Sequence, residues 1–169
     1  MRVDARTMAG EAATRIILTT FRANGLLLGA GDRLGADEGL TSARWQVLGA
    51  IALSERPLTV PQIARRMGLT RQSVHATVHR LVRDGDLELA PNADHRRSQV
   101  VGLTERGRAR YEAIDRRQAA WVNELARGIG RSALETTERV LDELCRRLQA
   151  GDAQTDAPSY AGGRRGETP

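Results

Sequence analysis

The run from Thr70 to Arg83, TRQSVHATVHRLVR, constrains this chain more than any other stretch. Val74, Val78, Leu81 and Val82 recur at i, i+4, i+7 and i+8, the spacing that lays one apolar stripe along an α-helix. The opposite face carries Gln72, Ala76, His79, Arg80 and Arg83, with Ser73 beside them and His75 at the margin. A solvated helix face ordinarily mixes acids with its arginines. Here no acid occurs before Asp84. The face suits a negatively charged partner.

The flanking residues turn one helix into a motif. Thr59-Val60-Pro61-Gln62 reads as a capping box, with Pro61 at a position where its missing N–H costs nothing. Ile63, Ala64 and Met67 make the inner side of a short helix, and Gly68 closes it in a left-handed conformation. Thr70 is the next N-cap. Helix, tight glycine turn, helix is the helix-turn-helix plan. Downstream, Gly85 ends the second helix, Leu87-Glu88-Leu89 alternates as a strand, Pro91 to Asp94 reads as a turn, and Ser98 to Leu103 is again β-rich. Arg96 and Arg97 follow that turn, so the hairpin has a basic tip. The expected fold is mainly α with a small β-hairpin wing.

Between Leu40 and Arg110 these residues resemble the MarR family of bacterial transcriptional regulators. The resemblance rests on LTVPQIARRMGLTRQSVHATVHRLVRDGDLE and on NADHRRSQVVGLTERGR, in which Arg-Arg precedes Leu-Thr and a Gly. It implies a winged helix-turn-helix flanked by dimerisation helices, a homodimer on a pseudo-palindromic operator, and a ligand-responsive repressor. It also implies a small-molecule effector of unknown identity, for which a coupling of about 1–3 kcal/mol would switch occupancy. The residues expected at double-stranded DNA are Thr70, Arg71, Gln72, Ser73, His75, Ala76, His79 and Arg80 on the helix, with Arg96 and Arg97 on the wing.

Composition agrees with this reading and excludes others. All basic residues are Arg, and the net charge is +5 over 169 residues. From Thr41 to Gly107 there are ten Arg against six acids, so most of the excess sits in the winged helix. No apolar run approaches the ~20 residues needed to span a bilayer. Met1 to Gly10 lacks the apolar core of a signal peptide, so a cytoplasmic protein is expected. The single Cys145 excludes an internal disulfide and a multi-cysteine metal framework.

Residues 1–9 read as a loose start, 10–150 as one domain with dimerisation helices at 10–34 and 108–150 around a winged helix at 41–107, and 151–169 as a disordered tail. Glu11 to Leu28 has apolar residues on more than one side, which suits a subunit interface or a central core helix. The four glycines from Gly29 to Gly39 are expected to break it. Thr41 and Thr104 cap further helices, with Trp45, Leu48 and Ile51 facing inward from the first. Ser132 to Glu135 reads as another capping box, opening a helix with Leu134, Leu141, Leu144 and Leu148 in a heptad-like row.

No enzyme is expected. Neither a Gly-x-Ser-x-Gly turn nor a cysteine beside a histidine occurs. Asp84, Asp86 and Glu88 sit at a helix end and strand start, and are expected to be solvated. His75 and His79 lie one helical turn apart, a spacing that can bind zinc, but the Glu of a hydrolytic zinc helix and an obvious third ligand are missing. Neither cofactor nor metal is therefore expected. Two other readings stay open. One is a winged helix used for protein–protein assembly, which would lack steep salt dependence with duplex DNA. The other is metal-responsive regulation through the two histidines.

Overall fold

The computed structural model describes residues 5–93 and 98–155. Among them are helices α1 (Met8–Gly35), α2 (Ser42–Ala52), α3 (Val60–Met67), α4 (Arg71–Arg83), α5 (Glu105–Leu125) and α6 (Arg131–Thr155). Three strands, β1 (Leu58–Thr59), β2 (Leu87–Pro91) and β3 (Gln99–Leu103), form an antiparallel sheet in the order β1-β3-β2. A single 3-10 turn, Ala36–Glu38, joins α1 to α2. This is the mainly helical winged-helix fold. The chain divides after Asn123 into two compact units, the second of them containing α6.

The core of the first unit follows the apolar periodicity. Val74, Val78 and Leu81 of α4 are fully buried with Leu48 of α2, Ile63 of α3, Val101 of β3 and Ile114 of α5. Each such side chain contributes about 1.5–3 kcal/mol relative to exposure. Leu87 pairs with Leu103, Leu89 with Val101 and Pro91 with Gln99 in the hairpin register. Pro91 is tolerated because β2 is an edge strand. Leu58 pairs with Val101 on the other side. No motif in the sequence marks that third strand. Two residues are too few to show a period of two.

The glycines after Leu28 do not break α1. The helix runs through Gly29 and Gly31 to Gly35, and its buried residues, Ala30, Gly31 and Gly35, lie at this end. A Cβ on Gly31 would stand 2.5 Å from the Ser42 hydroxyl oxygen and 2.9 Å from its Cβ. Asp32 accepts the Ser42 N–H at 2.6 Å in the same crossing. Glycine is present because α2 starts against α1. In an open helix, Gly→Ala gains about 1 kcal/mol. Gly31→Ala should instead lose about 1–3 kcal/mol in a thermal melt, the range for overpacking. A stabilised variant would show that the crossing is loose.

The capping box at Ser132 is not formed. α6 begins two residues earlier than that cap would set, at Arg131 instead of Ala133, and the Gly130 carbonyl accepts from the Ala133 and Leu134 N–H groups at 3.0 and 3.2 Å. Glu135 pairs with Arg131 at 2.7 Å instead of reaching back. Arg147, with Arg146 beside it, holds the Glu143 carboxyl below the usual carboxylate range. Leu141 and Leu144 are half-buried, whereas Leu134 and Leu148 are exposed.

Candidate nucleic-acid interface

Two consecutive helix ends set the position of α4. At the first, Gly68 has φ 63°, and the Leu69 N–H closes on the Ala64 carbonyl at 3.0 Å. This six-to-one bond of a Schellman motif reverses the chain within a few residues. Gln62 starts α3 by accepting the Thr59 N–H at 2.8 Å. Thr70 then caps α4, its hydroxyl accepting from the Ser73 N–H at 3.1 Å. The second end repeats the device. Gly85 has φ 76°, and the Asp86 N–H returns to Leu81 at 2.9 Å.

Burial of the α4 stripe decides what remains outside. Thr70, Arg71, Gln72, Ser73, His75, Ala76, His79, Arg80 and Arg83 are all exposed. Among the described residues no carboxylate pairs with Arg71, Arg80 or Arg83. Some arginines elsewhere, such as Arg110, Arg117, Arg131 and Arg147, do have an acidic partner. Arg65 and Arg66 add charge in the last turn of α3. The N-terminal end of α4 contributes the positive pole of its dipole, a natural seat for phosphate. Chemically the surface offers hydrogen-bonding side chains and uncompensated positive charge on a firmly backed helix.

An open groove of about 1610 Å³ runs beside α4, between the start of α3 and the hairpin. His75, His79, Gln62, Arg65, Asn92 and Gln99 are among its walls. The two imidazoles meet there, Nε2 to Nε2 at 3.0 Å. Arg96 and Arg97, expected at the wing tip, lie outside the described residues. The structure therefore gathers eight of the ten expected residues on one helix and its cap.

Sequence reasoning missed the acid that holds this helix in place. Asp86 was expected to be solvated, yet it is fully buried. The Schellman turn carries it inward, where an apolar residue usually stands. Arg110 of α5 pairs with one of its oxygens and also donates to the Glu38 carbonyl. Arg106 Nε approaches the other oxygen at 3.4 Å, close enough for an ion pair but without hydrogen-bond geometry. Thr104 closes the same corner, donating to the Gly85 carbonyl at 2.8 Å and accepting from the Gly107 N–H at 3.0 Å. The end of α4 is thereby tied to α5 and to the turn after α1. An Arg four residues from another Arg on α5, opposite a Gly-Asp helix end, was the available signal.

Comparison with known proteins follows this geometry closely. The profile of the MarR family matches residues 38–98, from before α2 to the far arm of the hairpin. An uncharacterized protein of Mycobacterium tuberculosis, Rv2011c, is 42% identical over 143 residues, which are 85% of this chain and 98% of that protein. The transcriptional activatory protein BadR of Rhodopseudomonas palustris is 32% identical over 109 residues, 62% of this chain and 61% of that one. The crystal structure of the M. tuberculosis transcriptional regulator MosR in complex with DNA is similar at a TM-score of 0.67 and 26% identity. That similarity covers 79% of this chain and 96% of MosR. No helix among the described residues is long and apolar enough to cross a membrane.

Proposed function

Because this chain belongs to the MarR family of winged-helix transcription regulators, we propose that it binds a pseudo-palindromic operator as a homodimer. Each protomer sets one α4 in the major groove, the two half-sites lying about one helical turn, roughly 10 bp, apart. One observation carries this reading: the exposed face of α4 is polar, basic and free of acid, while its other face is fully buried. Gln72, Ser73, His75, Ala76, His79 and Arg80 face base edges or the phosphates beside them. Thr70 and Arg71 meet phosphate at the helix N-terminus. Arg96 and Arg97 enter or straddle the neighbouring minor groove, where arginine is favoured by the local potential. An operator overlapping a promoter makes the protein a repressor.

The homodimer is supported by surface that one copy leaves uncovered. Leu18, Phe21 and Leu26 of α1 are 61%, 70% and 69% exposed. An apolar patch this extended on a soluble chain marks an interaction surface. A second copy supplies the symmetric apolar partner and places two α4 helices on one duplex.

Gln72 provides the test of base reading. Its carboxamide suits a bidentate contact to adenine, worth about 1–3 kcal/mol of discrimination. Gln72→Ala should relax preference at one symmetric pair of operator positions in a binding selection. A uniform loss across all sequences would place Gln72 on the backbone instead.

A further inference from the structure

We infer that His75 and His79 form a two-imidazole chelate for a divalent ion of square-planar or octahedral preference, nickel(II) or copper(II), and that the loaded site excludes duplex DNA. The exclusion rests on the DNA-binding reading above; the chelate does not. Both rings stand on the exposed side of α4, four residues apart, with centroids 4.2 Å apart and planes tilted by 56°. Their Nε2 atoms face each other at 3.0 Å. Without metal, such a contact is one N–H donated to one lone pair. Shifting that proton to Nδ1 of the donor ring keeps both imidazoles neutral and frees both Nε2 lone pairs for one ion.

The distance selects the geometry. With metal–nitrogen bonds of about 2.0–2.1 Å, two nitrogens 3.0 Å apart subtend roughly 95° at the ion. That is the angle of neighbouring positions in a square or an octahedron. A tetrahedral ion would want the nitrogens about 3.3–3.4 Å apart. Tetrahedral zinc is therefore the poorer fit, while nickel and copper also stand high in the affinity order for nitrogen ligands. No group of three or more His, Cys, Asp or Glu able to hold a metal occurs among the described residues, so water fills the remaining positions.

Charge argues for the same ions. Arg71 lies one turn before His75 and Arg83 one turn after His79, with no acid between them. A cation held mainly by charge, such as magnesium, has no reason to settle there. Binding must come from the nitrogen–metal bonds. Once bound, the ion claims the two Nε2 atoms, and its waters thicken a face that the proposed function sets against base edges. Metal and operator then compete for one surface.

The experiment uses the full chain carrying Cys145→Ser, which removes the exposed thiol as a competing ligand. Calorimetric titration with nickel sulfate, without DNA, should show one ion per chain. His75→Gln and His79→Gln should each weaken it by roughly 10–100-fold or more, and magnesium chloride should give no heat. Unchanged nickel affinity in both variants overturns the chelate. In a second arm, nickel should release the parent chain from a duplex selected by that chain, EDTA should restore binding, and magnesium chloride at the same concentration should leave the complex intact. Nickel bound at the histidines with duplex affinity unchanged overturns the exclusion. A metal-free chain that selects no duplex would count against the DNA-binding reading, while the titration still decides the chelate.

Discussion

Asp86→Ala should destabilise the protein by about 3–5 kcal/mol, the cost of leaving a buried charge without its partner. For a chain of this size that corresponds to a melting temperature lower by roughly 6–20 °C. The loss comes from Arg110, whose side chain is only 16% exposed and keeps its charge when the carboxylate is gone. Arg106 adds little, because at 63% exposure water solvates it readily. Removing both buried charges should hurt less than removing one. Asp86→Leu with Arg110→Met ought to recover much of the loss, giving a coupling between the two sites above 1 kcal/mol, within the usual range for contacting residues. Additive losses in differential scanning calorimetry would show that the pair does not act as a unit.

Phe21→Glu combined with Leu26→Glu should convert the proposed homodimer to monomers. Both side chains are largely exposed in one copy, so helix content by circular dichroism should hold. Inside a subunit interface, however, an unpaired carboxylate costs several kcal/mol. Sedimentation equilibrium should therefore report one chain. Operator binding should fall by about 10²–10⁴-fold, because a monomer engages one half-site and forfeits the second, tethered contact. A dimer that survives both substitutions would remove α1 from the interface.

The legible part of this molecule is the part made by local rules. The α4 stripe could be read because Val74, Val78 and Leu81 obey a period that only a helix produces, and Thr70, Gly68 and Gly85 mark its ends by cap and turn chemistry. The exposed face follows from the buried one without further information. Gly31 was misread because its role depends on Ser42 of another helix, and a close crossing leaves no periodic trace. Asp86 was misread for a related reason. Its burial depends on Arg110, more than twenty positions away, and a lone acid after a glycine normally belongs to solvent. Ser132 obeyed the local capping rule, but α6 starts two residues early, and Arg131 draws Glu135 away. The His75–His79 spacing was visible, whereas the facing of their Nε2 atoms required coordinates.

Dimethyl sulfate protection on a genomic fragment selected by the purified chain tests the central claim most directly. The reagent methylates guanine N7 in the major groove and adenine N3 in the minor groove, so it reports which groove the protein occupies. Protected guanines should fall in two symmetric patches about 10 bp apart, centre to centre, one for each α4. Adenines protected in the flanking minor grooves would mark the wings. A bound fragment whose guanine N7 atoms all remain reactive would contradict the assignment of α4 as the base-reading helix.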